Sequence, residues 1–559
     1  LVGLSVVVLI FSAARVGDRT PTVSDGSTLI LNLRGSVPEK APVSIPIPFI
    51  GGSTPLTVPE IWSTLHRAAG DSRIKALVLE IGRTDAGWAK LNEIRDDVLA
   101  FRKSGKPVYA FLKGPRTREY YVATAADRIY TEPEDLVDVK GLRAELMYFK
   151  NTLDKLGVQV EVEHVGRFKD AGDSFTQTSM SPETRESLGL VVDGIYNHVI
   201  QALATGRKKT PDEIRAIVDD GPYTAKQAAA KGLIDSLRYE DQVYGELKAQ
   251  LKQTSLVKLN FRNYVKAIGP DTTASKKIAL VVGEGTILRG AGDDAMGSDE
   301  GFTSGAFIKM LRSVGSDSSI SGVILRVDSP GGDAFASDEI LREVRLLRDK
   351  KPMVISMSDA AASGGYYVAM TGDPVLAYPT TLTGSIGVLF TKINLRGLYD
   401  KLGIQKDFLL RGKNSNIDSD YGPMTPEARA KLQAGIQEFY TQFVTKVSEG
   451  RKRKYEDVEP LAQGRVWLGS DAKERGLVDE LGGLDAAVAA IRKKAGMKEG
   501  EGVRLVPYPP KRTLLDQLLK SNSESASVET KLIQTLGFDY RVWAQSGFLR
   551  MLPFQITIQ

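Results

Sequence analysis

The sequence predicts an α/β fold laid down twice in one chain. Three observations carry this: short β-branched runs alternate with longer helical patterns, a repeat of long period runs through the chain, and the composition is that of a globular protein, 42% hydrophobic and 26% charged. A length of 559 residues leaves room for several domains at roughly 100–200 residues each, which excludes a single small binding module. The 74 Lys+Arg against 69 Asp+Glu leave a net charge of +5, too small and too dispersed to imply a nucleic-acid partner. The chain has no cysteine, so disulfide scaffolds, thiolate zinc sites and cysteine nucleophiles drop out together.

Residues 1–15 (LVGLSVVVLIFSAAR) are an apolar run closed by Arg15, and Val16–Gly26 is polar and turn-rich. This pattern predicts a membrane-anchor remnant with its linker over 1–26. The repeat begins beyond it. Ala76–Ile81 resembles Gly322–Val327, Tyr120–Ala123 recurs as Tyr366–Ala369, and Lys155-Leu156-Gly157 recurs as Lys401-Leu402-Gly403, all at an offset of 246. Met180-Ser181-Pro182-Glu183 then matches Met424-Thr425-Pro426-Glu427, and Gly232-Leu233-Ile234-Asp235 matches Gly476-Leu477-Val478-Asp479, both at 244. One small deletion accounts for the change. Two homologous domains over 27–255 and 277–500 follow, with a polar linker over 256–276.

Within each copy, runs such as Ile278–Val282, Val323–Val327 and Met353–Ser356 read as parallel strands, and Ser337–Asp349 as a crossover helix stopped at Lys351-Pro352. The tail, 501–559, is broken at Pro507-Tyr508-Pro509-Pro510 and low in complexity at Ser521–Ser527, and is expected to be peripheral. Its short apolar pieces, Leu514–Leu519 and Phe548–Pro553, would cover their own domain or dock on a neighbour.

Two segments of the second copy could carry chemistry. Asp328-Ser329-Pro330-Gly331-Gly332 follows a strand and precedes a helix, where exposed backbone amides can hold a developing oxyanion. Ala361-Ala362-Ser363-Gly364-Gly365-Tyr366 leads from a strand into a helix, the way α/β folds present a nucleophilic serine. Two glycines entering a helix cost about 1 kcal/mol each relative to alanine, which calls for a close neighbour. The first copy has Thr117 opposite Ser363 and Gly82–Ala86 (GRTDA) opposite Asp328–Gly332. Turn glycines and serine are missing there together, as expected of one shared site.

A serine nucleophile needs a base, yet the three histidines, His66, His164 and His198, all lie in the first copy without a motif. Lysine is the economical candidate, because burial disfavours the ammonium form. Lys169 and Lys413 each stand eleven residues before the Met-Ser/Thr-Pro motif; counted from the upstream anchors, Lys169 falls opposite Ser415 instead. Register leaves both open.

Ser329-Pro330-Gly331-Gly332, Ala361–Tyr366, Leu382-Thr383-Gly384-Ser385-Ile386-Gly387 and Val165-Gly166-Arg167-Phe168-Lys169 followed by Met180-Ser181-Pro182, in that order and spacing, resemble the signal peptide peptidase A family, also called protease IV, in its long tandem form. The resemblance covers about residues 27–500. It implies two crotonase/Clp-protease-like domains, a membrane anchor, and a bowl of eight domains, hence a homotetramer. It further implies a serine endopeptidase that degrades cleaved signal peptides and other apolar peptides, in the inner (cytoplasmic) membrane of a bacterium with the body facing the periplasm or exterior. Carried onto this sequence, Ser363 is the nucleophile, Lys169 the general base, Ser385 a hydroxyl that holds the lysine, and Gly331 and Gly332 the oxyanion turn, with Lys413 as the alternative base. No metal or organic cofactor is expected, since there is no P-loop, dinucleotide fingerprint or His/Cys cluster. Two other readings compete: an acyl-CoA hydratase or isomerase, which would use a carboxylate base, and a non-catalytic membrane scaffold ring.

Overall fold

The computed structural model describes residues 21–41, 55–271, 274–290, 301–498, 501–510, 547–552 and 557–558. The anchor expected over 1–15 and the apolar piece Leu514–Leu519 lie outside these residues. Among the described residues no helix is long and apolar enough to cross a membrane.

The first half is built on a parallel sheet whose strands run in the order Val257–Asn260, Ser27–Ser36, Ile74–Asp85, Val108–Leu112, Arg128–Thr131, Ser236–Leu237. The second half repeats it: Val503–Tyr508, Lys276–Glu284, Ile320–Ser329 and Met353–Ala362 are parallel neighbours, and Leu382–Gly384 and Val466–Leu468 extend the sheet. The strands Ile74–Asp85 and Ile320–Ser329 begin 246 residues apart. Their near-continuous apolar runs are what a parallel strand needs when both of its faces are covered. The Met-Ser/Thr-Pro motif opens the same element in both halves, a 26-residue helix over Pro182–Arg207 and Pro426–Arg451. Ser181 or Thr425 caps it by accepting a backbone amide, and proline takes a first-turn position that has no amide to lose.

Three stretches depart from the sequence reading. Residues 256–276 are not only a linker: Val257–Asn260 adds an edge strand to the first sheet, and Phe261 and Tyr264 of the following helix are buried in the first core. Four residues were too few to show a strand period. Val503–Tyr508 extends the second sheet beyond residue 500. Within the tail expected to be peripheral, Gly547–Met551 instead forms an interior strand of a third sheet.

That third sheet joins the halves. Its order is Gly301–Thr303, Thr286–Leu288, Gly331–Asp333, Gly547–Met551, Val388–Asn394, Gln159–Val165. Gln159–Val165, from the first half, pairs antiparallel along its whole length with Val388–Asn394 of the second. A second joint is ionic. Arg326, fully buried, meets Glu39 at 2.7 Å and Glu93 at 2.5 Å, and Lys90 meets Asp328 at 2.7 Å. Charges this deep are tolerated only when paired and hydrogen-bonded.

Candidate active site

Ser363 stands between the strand Met353–Ala362 and the helix Gly364–Ala369. Its φ of 53° and ψ of −114° are costly for a residue with a side chain, about 1–3 kcal/mol, and persist only where the surroundings over-determine them. Here its amide donates to the Gly384 carbonyl and its carbonyl accepts from the Tyr367 amide, both at 2.8 Å. The turn glycines have the close neighbours that their helix cost calls for. A Cβ on Gly365 would lie 2.6 Å from the Ser329 carbonyl oxygen. Gly331, at φ +102°, could carry none: it would meet the Arg550 carbonyl oxygen at 2.0 Å and the Gly364 amide nitrogen at 2.7 Å. Gly332 pairs with Arg550 in the third sheet, and the Gly331 amide donates to Ser329 Oγ at 3.2 Å.

The first half delivers Lys169. Once Gln159–Val165 has locked onto the second half, Gly166 turns the chain and the Phe168 amide donates to the Gln463 carbonyl at 2.8 Å. The Arg465 guanidinium lies over the Phe168 ring at 4.3 Å. Lys169 is thereby wholly buried, and its Nζ stands 2.9 Å from Ser363 Oγ, 2.9 Å from Ser385 Oγ, 3.1 Å from the Ser385 carbonyl oxygen and 2.5 Å from the Met551 carbonyl oxygen. Burial pushes its amine well below the ordinary lysine range; the Asp170 carboxylate opposes this, and the Arg550 guanidinium reinforces it. Asp170 itself is raised to about 6, chiefly by its own burial, and donates nothing to the serine: its carboxylate accepts from the Thr184 hydroxyl. A neutral amine has two protons and one lone pair. With the lone pair toward Ser363 Oγ, both protons still find oxygen acceptors on Ser385 and Met551.

The structure thus brings Ser363, Lys169, Ser385, Gly331 and Gly332 together, and leaves Lys413 on the exposed stretch 401–416. The histidines lie elsewhere: His66 pairs with Asp485 at 2.9 Å, His198 meets the Tyr121 hydroxyl at 3.0 Å, and His164 lies on the strand Gln159–Val165. Three contributors escaped the sequence reading. The Gly364 amide opens a helix, where no intrahelical acceptor is available. Met551 and Arg550 arrive from far along the chain, and the only sequence signal was the short apolar run around Phe548.

The profile of peptidase family S49 matches residues 100–254 and 345–498, together more than half of the chain. Serine protease SPPA, chloroplastic, of Arabidopsis thaliana is 33% identical over 511 residues, 90% of this chain and 74% of that protein. Protease 4 of Salmonella typhi is 31% identical across 83% of this chain and 76% of its own length. Protease 4 of Haemophilus influenzae is 30% identical across 89% and 84%. Among solved structures, a point mutant of ClpP1 from Listeria monocytogenes covers 36% of this chain and 91% of its own at 14% identity and a TM-score of 0.24, a likeness too slight to carry an argument. On the sequence matches and the doubled fold, the chain belongs to peptidase family S49 in tandem form, the serine-protease family of these relatives.

Proposed function

We propose that this chain is a serine endopeptidase with a Ser/Lys dyad shared between its halves. Neutral Lys169 takes the proton of Ser363 as the hydroxyl attacks a peptide carbonyl, and Ser385 orients the amine. The backbone around Gly331–Gly332 and the Gly364 amide stabilise the oxyanion, and water then hydrolyses the acyl-enzyme. The observation that carries this reading is the 2.9 Å separation of Lys169 Nζ and Ser363 Oγ in a fully buried setting. The acyl-CoA reading needs a carboxylate base, and the side chain that reaches Ser363 is an amine.

The substrate is an extended apolar peptide, such as a cleaved signal peptide. It would lie in the slot between Gly331–Asp333 and Val388–Asn394, where Gly547–Met551 now pairs antiparallel with both. Leu549 and Met551 sit there in an apolar cluster with Ala171 and Leu389. Incoming peptide must displace this strand.

Membrane anchoring is supported by the apolar run 1–15, and a body on the far side of a bacterial inner membrane goes with it. A homotetrameric ring is supported by the joint between halves. By the repeat, 159–165 corresponds to 405–411 and 388–394 to 142–148. The strand of one half that caps the other inside the chain thus has a counterpart, 405–411, that pairs with no strand among the described residues, and Leu409 is 95% exposed there. Docked on residues 142–148 of the next copy, it repeats the internal joint head to tail, which closes a ring.

A fluorophosphonate label followed by mass spectrometry tests the dyad. Ser363 should be modified in the natural chain and in Lys413→Ala, and unmodified in Lys169→Ala; the reverse pattern overturns the assignment.

A further inference from the structure

The repeat gives the site of the second half a counterpart in the first, and that counterpart is occupied. Thr557–Ile558 pairs antiparallel with Ala144–Glu145: Thr557 opposite Glu145, Ile558 opposite Ala144. In the second half, Gly547 lies opposite Thr391 and Phe548 opposite Phe390. Thr391 and Phe390 are the repeat equivalents of Glu145 and Ala144, 246 residues on. One segment of the chain therefore enters both grooves, in the same direction and the same register, ten residues apart.

What the groove of the first half does with a peptide carbonyl has also changed. The Ile558 carbonyl accepts from Arg118 Nε at 3.1 Å, from Arg118 Nη2, and from Trp88 Nε1 at 3.3 Å. Arg118 stands at the position of Gly364, next to Thr117 at the position of the nucleophile. At the position of Gly365 stands Glu119, whose carboxylate accepts from the Thr84 amide at 2.9 Å. Guanidinium and indole donors hold a carbonyl oxygen where the working half has a helix-start amide, and the Thr117 hydroxyl beside them donates to the Gly141 carbonyl. Ile558 is buried in the first core. Backbone pairing with an apolar pocket for alternate side chains is how sheet edges bind extended peptides.

We infer that the groove of the first half is a non-cleaving site for extended peptide, reading the backbone through Ala144–Glu145, Arg118 and Trp88 and preferring a β-branched apolar residue at the Ile558 position. Its resident ligand is the chain's own 557–558 segment. The site does not depend on the peptidase reading, because binding there involves no chemistry at Ser363.

The cysteine-free sequence makes a clean test possible in the full chain carrying Ser363→Ala, where no peptide can be consumed. A fluorescent peptide of sequence Phe-Gln-Ile-Thr-Ile-Gln, matching residues 554–559, is titrated to millimolar concentration and followed by anisotropy. It should bind by competing with the resident segment, more tightly once that segment is released by Ile558→Asp, and in the released chain binding should weaken about tenfold or more on adding Arg118→Ala, the loss of one charge-assisted contact. In an Ala144→Cys/Ile558→Cys variant, oxidation should cross-link the resident strand and abolish binding, and reduction should restore it. Failure of the cross-link to form, equal binding to the oxidised and reduced forms, or binding indifferent to Arg118→Ala would each overturn the inference. Loss of Ser363 labelling elsewhere would leave it standing.

Discussion

Residues 155–171 and 401–417 are the same stretch of the repeat, and they end in opposite surroundings. The first runs as a strand beneath the second half and carries Lys169 into complete burial; the second is exposed throughout 401–416, with Lys413 in solvent. Both lysines precede the same helix cap by eleven residues. The difference teaches that burial rather than sequence position sets the character of the amine: the one sealed among serines and carbonyls is held well below the ordinary lysine range. It also explains why the working site needs both halves. The second copy's own lysine arm, 401–416, stays exposed and brings no amine to Ser363.

The largest break in this comparison should come from the lysine itself. Lys169→Ala should lower kcat on a peptide substrate by about 10⁴- to 10⁶-fold, as for Ser363→Ala, and the double variant should be no worse, since nucleophile and base act as a unit. Lys413→Ala should leave kcat unchanged. A chain in which Lys413→Ala costs as much as Lys169→Ala would mean that the exposed arm finds a serine in another copy.

Next comes the oxyanion turn. Gly331→Ala puts a methyl group 2.0 Å from the Arg550 carbonyl and 2.7 Å from the Gly364 amide, so the turn must move. A loss of about 10²- to 10³-fold in kcat, measured with KM, is expected for a misplaced donor. The counterpart of Gly331 in the first half is Asp85, and Asp85→Ala should leave kcat where it is.

The pH profile sharpens the contrast through the buried amine. Because burial holds Lys169 well below the usual lysine range, kcat/KM should rise about tenfold per pH unit until that depressed value is passed, then level off. Stability runs in the same direction. The unfolded chain binds a proton at Lys169 up to its ordinary pKa near 10.4, while the folded chain releases it earlier, so folding is penalised below the folded value and the penalty fades as pH climbs toward the unfolded one. Denaturation in Lys169→Met should lack this component of the pH dependence.

The ionic joint is the place to separate stability from chemistry. Arg326→Met leaves Glu39 and Glu93 buried without their cation, which should cost about 3–5 kcal/mol in denaturant unfolding. Labelling of Ser363 in the fraction that remains folded should be unaffected.

The parts of this molecule legible in the sequence are those whose cause is local. Glycine turns, a helix stop and apolar strand runs announced the two α/β halves, the crossover helix over Ser337–Asp349 and the serine turn, and the missing histidine in the second copy pointed to an amine. Register could not choose between Lys169 and Lys413, because the choice is made by a strand crossing from one half to the other. Arg550 and Met551 were hidden for the same reason: their partners lie about 200 residues away or more, and a six-residue apolar run carries no mark of where it will pair. Val257–Asn260 was too short to show a period.

The smallest expected effect is the most searching. Thr117→Ser restores the nucleophile of the first half in name, and the fold provides nothing to make it react. Thr117 Oγ1 already donates to the Gly141 carbonyl at 3.2 Å, and a serine hydroxyl there would find the same acceptor in place of a base. The neighbouring positions that should expose amides carry Arg118 and Glu119, and the groove in front of them holds Ile558. Mass spectrometry should find no fluorophosphonate on residue 117 and an unchanged yield on Ser363. Labelling at 117 would show that the docked arm 405–416 of the next copy supplies a working base there and that Arg118, Glu119 and Ile558 leave room for attack, which would make the halves equivalent.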